Sequence, residues 1–578
     1  MTTPEATAKA AGFGGAKVLI IGMLVVGVLV LSTGLVGAGY LTWQYMTQRP
    51  DTIPRILAAE THVFAAVTPS LADLPQIIRL QQAFPDDDQV VPSSADEPVT
   101  NQLAEALGVN FEQDIAPWLG TEIAWALNRA LLDAVPNVGA IDRPNLDDAD
   151  EMILIFTSRN NGQAQAFLDK QRQHRESQGM QFAVEELQGV QIYARQGGGP
   201  SEVLDAFALV RDYVIFAGSP ELIRGIVTRD PSSNATLEAN PNFQKVRAAL
   251  PNDRLGYLYV AGAPLLEIFG EQGFDLPLTL ERQQADQRAI VAALHGLGFA
   301  ISAYADGIAF DAVASLDRSQ LGSGSQALLA QFEHPIQTQR IGRISDASAT
   351  LVAFAIPPSF KASVLDGIRE QPGGERQLQE FEREFGFSLE DDLLAWFYGE
   401  AQLVLLPRVE SDLPMTGYFA LKTEQISLAE QGIAKILRSL EMMLGFMGDF
   451  QFEQREIGGS SWQIIEPMPG VQLGQAFVND EFVLGVGAEA ISAATSPASS
   501  FSQQHTYQAA TRQQPNPLGS MLYINMPVAV NLSRHLGFYD PDLRERMQPI
   551  RAMAFSASPG FNAEGVATAR LFIVIAAE

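Results

Sequence analysis

Four carboxylates stand where acid–base work or a divalent cation could use them: Asp114 with Glu112, and Asp392 with Glu390. Their surroundings read better as helix starts. Asn110 and Ser388 are N-cap types with Gln113 and Asp391 three positions on, and acidic side chains in a first turn suit the helix dipole. Trp118 and Trp396 each follow an aspartate by four residues and are expected to anchor that short helix in the core. Gly485, Gly487 and Ala490 approximate a dinucleotide fingerprint between a strand and a helix. The matching stretch from Phe216 to Glu221 lacks the first glycine, and Glu489 would put a negative charge at the phosphate position, so a plain strand–turn–helix junction is expected. His62, His174, His295, His334, His505 and His535 show no HExxH or His-x-x-x-His spacing. Ser460 and Ser461 follow two glycines without the trailing glycine of a nucleophile elbow and read as a hairpin turn. The absence of cysteine removes disulfides, thiolate metal sites and cysteine nucleophiles. No catalytic, cofactor-binding or metal-ligating set is expected, and the protein is expected not to be an enzyme.

Two surface features bear on partners. Lys170, Arg172, His174 and Arg175 form a basic cluster expected to be a solvated helix face. Met442, Met443, Phe446 and Met447 crowd the end of a long helix and are the candidate apolar partner surface, because methionine adapts to irregular apolar neighbours.

The elements that must position these residues begin with an uncharged run from Val18 to Tyr40, long enough to span a bilayer as a helix. Lys9 and Lys17 precede it, and Tyr40, Trp43 and Tyr45 follow at interfacial depth. A single-pass anchor is expected over residues 18–45 after a short tail of residues 1–17, with the acidic C-terminal part on the extracytoplasmic side.

Beyond the anchor the chain repeats itself. Gly108 to Glu122 (GVNFEQDIAPWLGTE) aligns without a gap on Gly386 to Glu400 (GFSLEDDLLAWFYGE), Trp118 falling on Trp396. Downstream, Val210 to Ile223 matches Val478 to Ile491, and Leu258-Tyr259-Val260 matches Leu522-Tyr523-Ile524, in the same order. Strand patterns at Met152 to Thr157, Tyr213 to Ala217, Ile308 to Leu316, Phe482 to Val486 and Ala569 to Ile575 alternate irregularly with helical ones at Gln163 to Gln173 and Glu424 to Phe446. This favours α+β with mostly antiparallel sheets over a doubly wound parallel fold. Two tandem related α+β domains are expected, 52–320 and 349–578, joined by a linker over 321–348 where Gly322 to Ser325 supplies a break.

Composition sets the remaining bounds. A length of 578 residues exceeds one core at ~150 residues per domain. A net charge of −29 argues against nucleic acid as a partner. A hydrophobic share of 47% with 18% charged residues excludes a disordered chain.

The block Phe111 to Gly120, with Asp114 and Trp118, between an anchor and later units closed by a Leu-Tyr-Val strand, resembles an uncharacterised, largely cyanobacterial family catalogued as domain of unknown function 3352. The resemblance covers 52–578; in the second half Ala395 replaces the proline and the glycine moves to Gly399. It implies an anchored, extracytoplasmic protein, in the periplasm or thylakoid lumen, and transfers no catalytic residue. The functional expectation is a non-catalytic binding or scaffolding protein for other envelope proteins, with a carrier of a hydrophobic ligand such as lipid as the alternative.

Overall fold

The computed structural model describes residues 51–68, 74–83, 111–128, 151–197, 204–262, 281–407, 415–445, 452–468, 470–496, 499–535 and 547–575. The anchor expected over Val18 to Tyr40 lies outside them. Among the described residues no helix is long and apolar enough to cross a membrane. The chain divides into two compact units, one of residues up to 305 with 310–322 and the other of 306–309 with the residues from 323 on. Each is α+β with an antiparallel sheet.

In the first unit the strands are β1 (Val63–Val67), β2 (Leu119–Leu127), β3 (Met152–Ser158), β4 (Gln181–Leu187), β5 (Val190–Gln196), β6 (Ala206–Val210), β7 (Tyr213–Ala217), β8 (Gly256–Ala261) and β9 (Leu294–Tyr304). They pair in the order β9-β8-β1-β2-β3-β7-β6-β5-β4, every pair antiparallel. Helix α1 (Asn161–Ser177), N-capped by the Asn160 side chain on the Gln163 N–H, crosses this sheet. Its Ala164, Phe167 and Leu168 pack on Phe156, Phe207 and Phe216. Helix α2 (Pro220–Thr228) follows β7, with proline in its first turn.

After β10 (Gly307–Leu316), the second unit holds β11 (Thr350–Ile356), β12 (Gly399–Pro407), β13 (Met415–Lys422), β14 (Glu453–Ile457), β15 (Ser460–Met468), β16 (Val471–Val478), β17 (Glu481–Val486), β18 (Ser520–Asn525), β19 (Ile550–Ala557) and β20 (Val566–Ile575). The pairing order is β20-β19-β18-β11-β12-β13-β17-β16-β15-β14. From β19 to β14 this reproduces the first unit strand for strand. Helix α3 (Ile426–Gly445) occupies the place of α1, setting Ala429 and Ile433 against Trp396, Leu421 and Phe482. Helix α4 (Ala488–Thr495) follows β17 as α2 follows β7. The hairpin turns also correspond: Gln188-Gly189 and Gly458-Gly459 both take positive φ, the conformation that two-residue hairpin loops need to match strand twist.

Three expectations change. Ser460 and Ser461 are the first residues of β15, and the turn is made by Gly458 and Gly459, whose lack of a Cβ admits positive φ. The stretch read as a linker over 321–348 contains helices Ser323–Ala330 and Thr338–Ile341, and Arg340 and Ile341 are buried. The glycine–serine run there signalled a break in sequence pattern, while the apolar residues after it had partners in the second unit. The helix expected at each Asp-x-x-x-Trp block is a short π turn, Phe111–Ile115 and Leu389–Leu394.

Candidate functional site

The four residues of the repeated motif sit in two like settings. In the first unit the Trp118 indole Nε1 donates to the Asp114 carbonyl at 2.7 Å, and Lys170 of α1 donates to the Asp114 carboxylate at 2.7 Å. In the second, Trp396 Nε1 donates to the Asp392 carbonyl at 2.8 Å, and Lys435 of α3 donates to Asp392 Oδ1 at 2.6 Å. Both indoles are buried, Trp118 edge-on to Phe156 and Trp396 edge-on to Phe482. The Ser388 side chain accepts the Asp391 N–H, as a cap should, but the reciprocal bond comes from Asp392, whose Oδ2 accepts the Ser388 N–H at 2.8 Å. Burial works against the Asp392 charge, yet the hydrogen bonds from Lys435 and the Ser388 N–H hold its carboxyl below the ordinary aspartate range. A carboxylate so committed is a fastener between a turn and a helix, with no proton to exchange near neutrality. Glu390 is likewise taken, by Arg369 at 2.8 Å and Lys361 at 3.4 Å; the Glu112 side chain lies outside the described residues.

Of the basic cluster, Lys170 is exposed as a solvated face requires, Arg172 and His174 are half-buried, and Arg175 departs from it. Arg175 is buried over the rings of Phe207 and Phe216 and donates to the Leu204 carbonyl at 2.9 Å, and burial lowers its guanidinium to about 10. Its long apolar stem and flat head suit an aromatic floor, a fit that charge counting along the helix cannot reveal. Of the methionine-rich end of α3, Met442 is 65% exposed. The Met443 side chain, Phe446 and Met447 lie outside the described residues.

Two buried glutamates were not singled out in the sequence, although they close the aligned block. Glu122 on β2 accepts the Thr52 N–H and hydroxyl, each at 2.9 Å, and the Ile53 N–H at 3.3 Å. Burial, against the Thr52 N–H and with the charge of Asp51, pushes its carboxyl up to about 7. Glu400 on β12 accepts the Gln337 N–H at 3.0 Å and faces Arg340 at 3.2 Å, and Arg340 also grips Glu481 at 2.6 Å. Burial raises Glu400 against the pull of Arg340. In both units the glutamate ties down the chain segment that enters ahead of the first strand. Those segments then bridge onward alike, Ala58 to Thr236 and Ser345 to Ser500.

The second unit also contains a cavity of about 800 Å³ between the 338–344 segment, β12, β13, β17 and the end of α4. Its lining includes Arg340, Arg343, Gln402, Tyr418, Ala420 and Val483. On the opposite face of the same sheet an apolar row crosses the strands in register: Phe555, Leu522, Val352, Leu403, Phe419, Leu484. Phe555 is 37% exposed, Leu403 39% and Leu484 46%. Val486, two residues beyond Leu484, is exposed as well. Among the described residues no group of three or more histidine, aspartate or glutamate side chains is placed to hold a metal ion.

Among solved structures, crystal form I of TP0453 is similar to this chain at 11% identity, covering 50% of this chain and 88% of that one with a TM-score of 0.22. Crystal form III of TP0453 gives 13% identity over the same shares with a TM-score of 0.23. No curated protein matches. The family model described as a protein of unknown function, DUF3352, matches residues 24–573, so the chain belongs to the DUF3352 family.

Proposed function

We propose that this protein is a membrane-anchored, extracytoplasmic binding or scaffolding protein without chemistry of its own, built from two tandem repeats of one α+β fold. Val18 to Tyr40 would supply the anchor. The repeat is supported by the shared strand order and by the paired Asp–Trp and glutamate contacts. One observation carries the binding role: the apolar row on the second repeat's sheet, in which Phe555, Leu403 and Leu484 are exposed and Leu522, Val352 and Phe419 between them are half-buried. Five interstrand steps of ~4.8 Å make a strip roughly 24 Å wide. A strip of that breadth matches the apolar centre of a protein–protein interface.

The partner we favour is another envelope protein. Among the described residues the row shares its face with α3, which packs near Phe419, and its exposed side chains are spread across the strands rather than gathered in a pocket of the kind that buries most of a lipid's surface. The net charge of −29 works against docking on anionic lipid headgroups. The test is a photo-crosslinking residue at Leu484 in the full chain in its own membrane, with one at the exposed turn residue Glu564 as control. A discrete protein adduct at Leu484 and none at Glu564 is the expected result. Adducts to lipid alone would move the assignment to a hydrophobic-ligand carrier, and the same adducts from both positions would remove the row from consideration.

A further inference from the structure

The two units share register, so the core of one can be compared with the core of the other, position by position. Strand pairing sets Ala124 opposite Ile155 and Ile155 opposite Ile215 in the first unit; the same places in the second hold Gln402, Ala420 and Val483. One step along, Ala126 opposite Ile153 becomes Val404 opposite Tyr418. In the first unit Ala124, Ile153, Ile155 and Ile215 are all buried. In the second, two isoleucines have lost carbon, to Ala420 and Val483, and two apolar positions have gained hydrogen-bonding groups, at Gln402 and Tyr418. These four replacements lie along the lining of the cavity of about 800 Å³.

Hydrogen-bonding groups introduced beside shortened side chains are costly in a core unless something pairs with them. Gln402 is 3% exposed, yet its Nε2 has no hydrogen-bond partner. Tyr418, 6% exposed, lines the same cavity with a hydroxyl able to donate. Arg340 is already neutralised by Glu481 and Glu400, while Arg343 stands exposed on the lining without an ion pair among the described residues. The rest of the wall is mixed: Ala420, Val483, Ala493 and Ala494 make an apolar patch beside polar Gln339, Asn479, Thr495 and Ser502, and the Glu481 carboxylate there is held by Arg340. A buried amide donor without an acceptor, a hydroxyl, one exposed cation and an apolar patch set the character of a complementary molecule.

We propose that the second unit binds a small organic carboxylate in this cavity, its carboxylate met by Gln402, Tyr418 and Arg343 and its apolar body lying against Ala420, Val483 and α4. The volume lies within the ~300–1,000 Å³ of small-molecule sites. The site uses the face of the sheet opposite the apolar row, since Gln402 and Leu403, Tyr418 and Phe419, and Val483 and Leu484 are successive residues in their strands. It therefore stands or falls apart from the docking role.

The probe is 4-(4-fluorophenyl)butyrate, with 4-(4-fluorophenyl)butan-1-ol as its uncharged counterpart, titrated into the full chain in detergent. Fluorine line broadening is read against a detergent blank. Saturable broadening by the acid, at least tenfold weaker with the alcohol, is expected. Two variants copy the first unit: Gln402→Ala should weaken the acid tenfold or more, and Ala420→Ile with Val483→Ile should abolish binding while leaving the melting temperature equal or higher. No saturable binding by the wild type, equal binding of acid and alcohol, or undiminished binding in the filled variant would each overturn the site.

Discussion

At the scale of single residues, the two repeats solve one problem with different chemistry. Each must hold the segment that enters its sheet, and each uses a buried glutamate aimed at that segment's backbone. Glu400 has Arg340 as counter-charge, whereas Glu122 has only neutral donors and the like charge of Asp51 nearby. The difference sets a pH dependence. With its folded carboxyl at about 7 against 4.5 when free, Glu122 keeps its proton more tightly in the folded protein. Its stabilising contribution is complete below the unfolded value and is lost as pH rises through the folded one. The full loss between pH 4.5 and 7 is about 3 kcal/mol by linkage. Glu122→Gln keeps an acceptor for Thr52 without the charge, so its melting temperature should decline less than the wild type's between pH 5 and 8. Parallel curves for the two proteins would show that Glu122 is ionised throughout.

At the scale of elements, the contact that joins α3 to its π turn depends on a missing side chain. Gly432 lies in the middle of α3, and a Cβ there would collide with the Asp392 carbonyl and come within 2.9 Å of Trp396 Nε1. Helix propensity alone predicts that Gly→Ala stabilises by about 1 kcal/mol. Overpacking of this kind costs ~1–3 kcal/mol, so Gly432→Ala should lower the denaturant midpoint. Gly367→Ala, in helix Phe360–Arg369 with no atom near its Cβ position, should raise it. Both variants moving in the same direction would deny that close approach matters. The elements were in large part legible: the strand pattern at Tyr213 to Ala217 is β7 end to end, and the long amphipathic stretch from Glu424 is α3 within two residues. The cavity was not legible. Its floor is a comparison of Ile153 with Tyr418, and β3 and β13 share too little sequence to align without the ladder that pairs them to β2 and β12. Arg340 was hidden because a serine- and glycine-rich approach masked a buried cation.

At the scale of the whole molecule, the correspondence of the two units separates residues that hold the fold from residues free to differ. The residues that recur, Asp114 and Asp392, Trp118 and Trp396, Glu122 and Glu400, are those that hold the fold together in each unit. What differs between the units is where function is to be sought, and both proposals above rest on features of the second. The recurring tryptophans have a practical use as well. Each indole is buried and donates to a carbonyl four residues earlier, so each unit carries a native optical reporter of its own core. Chains that keep only Trp118 or only Trp396, with phenylalanine at the remaining tryptophan positions, should emit at the blue end of the indole range when folded and shift red on denaturation. Red emission from either native protein would mean that its indole meets water. Recorded side by side, the two emission curves separate the melting of one unit from that of the other within a single intact chain.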